Sequence, residues 1–169
     1  MAISLRAITS EDEEVLFAVY ASTRVEEMDL VDWNATQKEA FLRMQFRAQS
    51  HAYIKNYPGA EFQLIQLDGQ AVGRLYVYRT QNEIQVMDIS LLPQYRGQGI
   101  GTHLLNRILE ESTESNLPVT IYVKRFNTAL HLYARLGFRQ VSDDGVYLFM
   151  KWLSPILEKD EDTRTTAKQ

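Results

Sequence analysis

Hydrophobic residues near the start of the chain follow two different spacings. They alternate with polar residues over Ile3–Ala7, which predicts a short strand. From Thr9 or Ser10 they recur at helical spacing as far as Tyr20. Acidic residues occupy Glu11–Glu14, where carboxylates suit the positive end of a helix dipole. The pattern therefore predicts a strand followed by a helix.

A second helix is predicted from near Thr36 to the Pro58-Gly59 pair, which ends it. Its apolar face comprises Ala40, Phe41, Met44 and Phe46. The spacing then changes to two short strand-like runs, Phe62–Leu67 and Ala71–Arg79. The Asp68-Gly69 pair between them predicts a hairpin, because both residues tolerate positive φ.

A third strand-like run, Glu83–Leu92, completes an antiparallel meander. Pro93 stops this run, because proline supplies no N–H to a ladder. The remaining pattern predicts a helix from Ile100, a strand over Val119–Val123, a helix from Asn127 to Gly137, and hairpin arms at Phe138–Ser142 and Val146–Trp152.

The order of elements, β-α-α-β-β-β-α-β-α-β-β, predicts an α+β or mixed α/β domain without an internal repeat. We expect one domain over residues 1–154. Glu158–Gln169 holds three basic and four acidic residues, with only Ala167 apolar. Residues 155–169 are therefore predicted to be a charged, flexible tail outside the fold.

Composition narrows the chemistry of this chain of 169 residues. It has no cysteine, which excludes disulfides, thiolate metal sites and a cysteine nucleophile. His51, His103 and His131 show no metal-ligand spacing, so no metal is expected. A formal net charge of -4 argues against a broad nucleic-acid-binding face. No apolar run approaches the ~18 residues of a membrane span, and Met1–Thr9 lacks a secretory signal, so we expect a cytoplasmic protein.

A glycine-rich turn, Gln94–Thr102, separates the third strand of the meander from the strongly patterned helix. Gly97, Gly99 and Gly101 let the backbone approach a ligand closely and adopt positive φ. The N–H groups at the helix start favour a phosphate, and Arg96 adds positive charge.

Two nucleotide-binding patterns do not fit this turn. A dinucleotide fingerprint needs G-x-G-x-x-G/A, but Thr102 stands where the third small residue belongs. A P-loop needs G-K-[ST], and the sequence contains no such tripeptide. The alternative to an anion site is a flexible turn without a ligand, which three alternate glycines beside an arginine disfavour.

Two motifs occur in order along the chain. They are Arg96-x-x-Gly99-x-Gly101 and Asn127-x-Ala129-x-x-x-Tyr133-x-x-x-Gly137-Phe138. They resemble the R/Q-x-x-G-x-G/A and N-x-A-x-x-x-Y-x-x-x-G-F patterns of the GNAT superfamily of acetyl-CoA-dependent N-acetyltransferases, and the resemblance covers about Ile3 to Trp152. It implies a central, mostly antiparallel sheet of about seven strands, splayed at the CoA site and flanked by about four helices.

The resemblance also implies roles for individual residues. Ile89, Ser90 and Leu91 would pair with the pantetheine arm through backbone groups. The pyrophosphate would be held by Arg96, Gly97, Gln98, Gly99, Ile100, Gly101 and Thr102. Asn127 would contact CoA, and Tyr133 would face the departing thiolate as the catalytic residue. Since a phenol titrates ~1.5 units above a thiol, a hydrogen bond to the thiolate is the simpler role for Tyr133; the alternative is that Tyr133 only packs.

The general base is left open. Some relatives place a glutamate or histidine on the fourth strand, where this sequence has Gln85 and Met87, or a glutamate on the fifth, where it has Tyr122 and Lys124. Asp88 should point to the opposite face by strand alternation, so we expect a structural hydrogen-bonding role for it unless a bulge re-aims it. A water chain could deprotonate the amine instead.

The acceptor side is expected between the first two helices, over Arg24–Trp33. Glu26, Glu27 and Trp33 could receive a cationic amine through charge and cation–π contact. The alternative is a solvated acidic loop with Trp33 as a core anchor. Tyr53 on the second helix is a further candidate.

The sequence thus predicts an N-acetyltransferase that moves an acetyl group from acetyl-CoA, its co-substrate, to a primary amine of a small molecule or peptide. Because the chain has no cysteine, the amine would attack directly in a ternary complex. One alternative is an acyl-CoA-binding module without turnover, and another is a nucleotide-binding regulatory domain. Open strand edges in this fold are compatible with a homodimer.

Overall fold

The computed structural model describes residues 1–168 as seven strands and six α-helices. The strands are β1 (Ile3–Ala7), β2 (Glu61–Leu67), β3 (Gln70–Arg79), β4 (Ile84–Leu91), β5 (Val119–Lys124), β6 (Arg139–Asp143) and β7 (Tyr147–Trp152). The helices are α1 (Glu13–Ser22), α2 (Val25–Asp29), α3 (Ala35–Asn56), α4 (Ile100–Ser115), α5 (Leu130–Leu136) and α6 (Pro155–Ala167). Short 3₁₀ turns at Ser10–Asp12 and Pro93–Tyr95 precede α1 and the glycine-rich turn.

The strands form one open sheet in the order β1-β2-β3-β4-β5-β7-β6. The pairs β1·β2, β5·β7 and β6·β7 are antiparallel, whereas β4 and β5 run parallel. The ladder between β4 and β5 joins Ile84–Val86 to Val119–Ile121. The predicted seven-stranded, mixed α/β architecture is confirmed, with α2 and α6 as helices that the hydrophobic pattern did not predict.

The described chain divides into two compact units. The first comprises Met1–Tyr76 and Asp88–Gly101, and the second comprises Val77–Met87 and the chain from Thr102. Strands β3 and β4 each contribute residues to both units. Each unit has its own set of buried side chains. The predicted domain boundary at residue 154 stays a prediction.

Aromatic packing between α1 and α3 builds the helical core of the first unit. The Phe46 ring lies 5.8 Å from that of Phe17 and 5.6 Å from that of Tyr20, centroid to centroid. These rings are buried, since each is less than a tenth exposed. Met44 was placed on the same apolar face by the sequence pattern, and that placement is wrong, because its side chain is 59% exposed.

The turn between β2 and β3 confirms the predicted hairpin. Asp68 and Gly69 have φ angles of 50° and 83°, the left-handed values that a two-residue hairpin turn of this kind requires. The Asp68 carboxylate also accepts a hydrogen bond from the Ala2 N–H at 2.8 Å, which ties the start of β1 to this turn.

Helix α4, which belongs to the second unit from Thr102 onward, buries the predicted apolar stripe. Its members are Ile100, Leu104, Leu105, Ile108 and Leu109, all buried. Helix α5 begins at Leu130 rather than at Asn127, because the side-chain oxygen Oδ1 of Asn127 accepts a hydrogen bond from the Ala129 N–H at 2.8 Å and forms a turn there. Gly137 ends α5 with φ 101°, as predicted.

Residues Pro155–Ala167 form helix α6, where the sequence pattern predicted a frayed terminus. The Ser154 side chain caps α6 by accepting from the Leu157 N–H, and Pro155 occupies the first helical turn. Glu158 pairs with Arg139 of β6 at 2.9 Å, and Lys151 of β7 pairs with Glu161 at 3.6 Å. The sequence pattern did not predict this helix because α6 has no buried apolar stripe.

Strand β6 lies at one end of the sheet order, and all five of its side chains are exposed. Its ends carry charges that are paired within the second unit: Arg139 with Glu158, and Asp143 with Arg125 at 3.6 Å. Within residues 1–168, no helix combines the length and apolar content that crossing a bilayer requires.

The start of α1 depends on a bidentate ion pair, which gives a testable pH dependence. Arg6 donates two hydrogen bonds of 2.8 Å to the Asp12 carboxylate, and the Thr9 N–H donates a third at 2.8 Å. Arg6 above all, with Thr9, holds the pKa of Asp12 well below its usual range. Asp12 therefore stabilises the fold above its ordinary pKa, and that stabilisation is lost as pH falls below it.

We expect Asp12→Asn to lower the free energy of unfolding by about 1–3 kcal/mol at pH 7. The difference from wild type should shrink as pH falls below about 4, because Asp12 then begins to protonate in the unfolded chain while it stays ionised in the folded protein. Urea denaturation at pH 7 and pH 3 measures it. Glu11→Gln, on the exposed neighbour, is the control and should change stability by less than ~0.5 kcal/mol. An Asp12→Asn deficit that is equal at both pH values would contradict the assignment.

Candidate functional site

The glycine-rich turn in the first unit presents an open stretch of backbone just before α4. Gly97 and Gly99 have φ angles of 73° and 84°, which side-chain-bearing residues rarely adopt. A Cβ on either would meet no atom of residues 1–168 within 4 Å apart from its chain neighbours. The Gln98 amide donates to the Gln94 carbonyl at 2.9 Å and closes the turn. Ile100 is 1% exposed and anchors the start of the helix.

The Arg96 side chain is engaged in two local hydrogen bonds. Its Nε donates to the carbonyl of Leu91, the last residue of β4, at 2.9 Å. Its Nη2 donates to the hydroxyl of Ser22, the last residue of α1, at 3.1 Å. The sequence suggested that this guanidinium adds charge at a phosphate; in the structure it ties the turn to β4 and α1.

The end of β4 contains one partner of a buried ion pair, Arg74–Asp88. The sequence predicted a hydrogen-bonding role for Asp88 but not its pairing with Arg74. Asp88 accepts from Arg74 Nε at 2.7 Å, and its other carboxylate oxygen accepts from the Ser90 hydroxyl at 2.6 Å. The expected structural hydrogen-bonding role of Asp88 is confirmed by these contacts. Ile89 and Leu91, which flank Ser90, are partly buried.

Gly73 and Arg74 of β3 are residues that the sequence reasoning missed. Arg74 is 3% exposed, and its Nη2 also donates to the Gln49 side-chain oxygen at 2.8 Å. A Cβ on Gly73 would overlap the carbonyl oxygen of Ser90, so only glycine fits there. The available signals were an arginine and a glycine inside an otherwise apolar strand run.

Tyr53, an acceptor-side candidate, packs close to this ion pair. Its ring lies 6.0 Å from that of Tyr76 and 6.1 Å from that of Tyr57, edge to face. Burial, with a smaller effect of the Asp88 charge, raises the pKa of Tyr53 to about 12. Its phenol is therefore protonated at neutral pH and can donate a hydrogen bond, but it is a poor general base.

The acidic segment after α1 is partly helical. Glu26 and Glu27 lie on α2, where Glu27 pairs with Arg24 at 3.7 Å. The Trp33 ring packs edge to face on Phe41 of α3 at 5.3 Å and remains 42% exposed. The contact with Phe41 holds the ring, but its exposure disagrees with the alternative of a core anchor and leaves part of the ring accessible to a ligand.

The remaining candidates lie in the second unit. Thr102 is the third residue of α4, and Asn127 forms the turn before α5. Tyr133 is 4% exposed, with its ring 5.7 Å from that of Phe138. At a position where some relatives carry a base, Tyr122 is 57% exposed and lies against Phe149, with ring centroids 4.8 Å apart.

The geometry of the turn suits a diphosphate. Gly97 and Gly99 adopt left-handed φ angles directly before α4, and the free N–H groups at the start of a helix are groups that bind anions. The open space at Gly97 and Gly99 leaves room for an anion to approach the main chain. The residues present therefore fit the phosphate end of a nucleotide-like cofactor.

The chain is also similar in sequence to known acetyltransferases. A model of the family described as "Acetyltransferase (GNAT) domain" matches residues 58–140, about half of the chain. The chain is similar to a ribosomal protein bS18-alanine N-acetyltransferase of Haemophilus influenzae, with 27% identity over 95 residues. That alignment covers 54% of this chain and 65% of the relative's length.

Solved structures share the fold. The PaiA N-acetyltransferase of Thermoplasma acidophilum, in complex with coenzyme A, superposes with a TM-score of 0.69 at 20% identity, over 91% of this chain and 100% of the other. The N-acetyltransferase PseH of Campylobacter jejuni, in complex with acetyl coenzyme A, gives 0.58 at 18% identity, over 90% and 99%. The family match identifies residues 58–140 as a GNAT acetyltransferase domain, and the two motifs and the seven-stranded sheet agree with that identification.

Proposed function

We propose that this protein is an N-acetyltransferase that uses acetyl-CoA as co-substrate and acetylates a primary amine of a peptide or small molecule. The observation that carries the proposal is the open, left-handed glycine turn that leads into α4 directly after the end of β4. Two solved structures of the same fold contain coenzyme A or acetyl coenzyme A, which supports this choice of co-substrate.

The diphosphate of CoA would be bound by backbone N–H groups of residues 97–102. Gly97 and Gly99 would allow the close approach, and the dipole of α4 would favour the negative charge. The Arg96 side chain would act mainly by holding the turn, because its guanidinium already contacts Leu91 and Ser22. Asn127 is proposed as a further CoA contact.

The backbone of Ile89–Leu91 would bind the pantetheine arm and supply an N–H to the oxyanion that develops on the thioester carbonyl. The amine nitrogen forms the new C–N bond, the C–S bond breaks, and the proton lost by the amine ends on the CoA sulfur. The sequence contains no cysteine, so no acyl-cysteine intermediate can form and the amine attacks directly.

Tyr133 is proposed to donate a hydrogen bond to the departing thiolate. A phenol titrates about 1.5 units above a simple thiol, so full proton transfer would run uphill by roughly 2 kcal/mol. A hydrogen bond stabilises the thiolate without that cost. The buried position of Tyr133 would restrain the ring in one orientation.

The amine would lose its proton to water. Tyr53 has a pKa near 12 and Asp88 is engaged by Arg74 and Ser90, so neither is a good base. Gln85, Met87 and Tyr122 offer no carboxylate or imidazole. Such a site suits an amine that is already partly neutral at pH 7. An α-amino group, with a pKa of about 8, has a larger neutral fraction than a lysine side chain, with a pKa of about 10.4.

The name of the Haemophilus influenzae relative specifies alanine of a ribosomal protein as its acceptor. We therefore propose a peptide or protein α-amino group as the first acceptor to test. The carboxylates of Glu26 and Glu27 and the exposed part of Trp33 would attract its cationic form. A ribosomal acceptor would place the protein in the cytoplasm.

A second candidate is an acyl-CoA-binding module without turnover, which the absence of a carboxylate or imidazole at residues 85, 87, 122 and 124 favours. Incubation of the protein with acetyl-CoA and a panel of amines, with free thiol measured over time, separates the two. The panel contains a peptide beginning with alanine, its N-formylated form, a polyamine and a lysine derivative. Tight CoA binding with no thiol release would establish the module, and preference for ATP or NAD over CoA would refute both.

Gly99→Ala tests the turn as the CoA site. The substitution forces a left-handed φ on alanine and fills the space needed by the diphosphate, so CoA affinity should fall about tenfold to a hundredfold. Gly145→Ala is the matched control: its φ of 94° imposes the same strain in the β6–β7 hairpin, and its Cβ also meets open space among the described residues. Equal CoA affinity of the two variants, measured by calorimetry, would rule out the turn.

Tyr133→Phe tests the role of the phenol. It removes one hydroxyl and keeps the ring packing, so we expect kcat to fall about tenfold to a hundredfold while CoA affinity stays within about twofold. Tyr147→Phe in the second unit, at a side chain 39% exposed, is the control and should leave kcat unchanged. An unchanged kcat in Tyr133→Phe would show that the phenol has no catalytic role and that this residue only packs in the core.

A further inference from the structure

Arg74 is a buried charge at the centre of the first unit. Its side chain is 3% exposed, and its planar guanidinium donates to Asp88 Oδ2 through Nε at 2.7 Å and through Nη2. Nη2 also donates to Gln49 of α3 at 2.8 Å, and the Tyr76 ring lies 4.8 Å from the guanidinium carbon. Stability alone does not require this arrangement, because a buried ion pair gains little over apolar packing of similar volume.

The pair is connected to the residues of β4 that are proposed to meet the thioester. One oxygen of the Asp88 carboxylate is held by Arg74, and the other accepts the Ser90 hydroxyl at 2.6 Å. Asp88 and Ser90 flank Ile89, so their linked side chains restrain the two peptide units on either side of it.

The neighbours of Arg74 on β3 hold the same stretch from the main-chain side. A Cβ on Gly73 would lie 2.9 Å from Leu91 Cδ2 and closer still to the Ser90 carbonyl oxygen. The Val72 carbonyl accepts from the Leu92 N–H at 2.8 Å. Three consecutive residues of β3 thus meet Asp88 and Ser90 of β4 and Leu92, the residue after the strand.

From these contacts we infer that Arg74 is a positioning residue for acetyl transfer: through Asp88 and Ser90 it orients the Ile89–Leu91 backbone toward the thioester carbonyl. The inference rests on the proposed function, since it assigns a purpose to the strand that would bind the acyl group. An oxyanion donor works only at hydrogen-bond distance from the developing charge, and small displacements of such a group reduce rates strongly.

Arg74→Lys tests the inference. A lysine keeps the positive charge. Its single ammonium group lacks the planar set of donors with which the guanidinium contacts Asp88 and Gln49 at the same time. We expect kcat to fall at least tenfold, with CoA affinity within about threefold of wild type. Arg79→Lys is the matched control on the same strand: Arg79 makes a comparable two-bond pair with Glu111, at 2.8 and 3.0 Å, but is 37% exposed, so kcat should not change.

Ser90→Ala isolates the last link. It removes the hydroxyl that joins Ser90 to Asp88 and leaves the Arg74–Asp88 pair in place, so stability should change little. We expect kcat to fall about threefold to tenfold with the KM for acetyl-CoA nearly constant. If both variants lose only thermal stability and turn over at the wild-type rate where they are folded, Arg74 is a core residue and the inference is overturned.

A second measurement separates failure of this inference from failure of the proposed function. Amide hydrogen exchange at Ile89 and Leu91 is measured on the protein alone, without substrate. Faster exchange at these amides in Arg74→Lys than in Arg79→Lys supports the restraint even if wild type releases no thiol from acetyl-CoA. Equal exchange in the two variants overturns the inference whatever the wild-type activity.

Discussion

Burial of the Arg74 guanidinium is the constraint around which the first unit is arranged. A charge with 3% exposure is tolerated only where its donors meet acceptors, since solvent cannot satisfy them. Asp88 and Gln49 supply those acceptors, and Tyr76 supplies a ring face. Because these residues belong to β4, α3 and β3, one side chain fixes the mutual positions of three elements. The backbone position of the end of β4 is therefore set by the contacts of Arg74 with Asp88.

The glycine turn is held by different means. Its backbone conformations are accessible to glycine at little cost, so the turn needs no buried network to maintain them. Arg96 binds the turn to the last residues of β4 and α1, while Gln98 closes it locally. The backbone at Gly97 and Gly99 is therefore open, whereas the ends of the turn are held by contacts to β4 and α1. Exposed backbone amides between fixed ends would suit the proposed co-substrate, which would have to bind and leave in every catalytic cycle.

Features set by local chemistry were predictable from the sequence. Asp68-Gly69 defines its hairpin because few residue pairs adopt both left-handed angles, and Pro93 and Gly137 end their elements for equally local reasons. Features that depend on register were not. The Arg74–Asp88 pair requires knowing which residues of two strands face each other, and Met44 shows that helical spacing alone misjudges a broad apolar face. Helix α6 was missed because a cap and ion pairs hold it, with no apolar stripe to reveal it.

Strand β6 ends the sheet with every side chain exposed, which is the geometry that recruits further strands and leads to aggregates. The Arg139 and Asp143 side chains stand at its two ends, each paired with a charge of the same unit. Surface ion pairs of this kind stabilise a fold little, but charged groups at a free edge oppose growth of the sheet by another copy. Their main effect is then on solubility: they keep other copies of the protein from adding a strand to this edge.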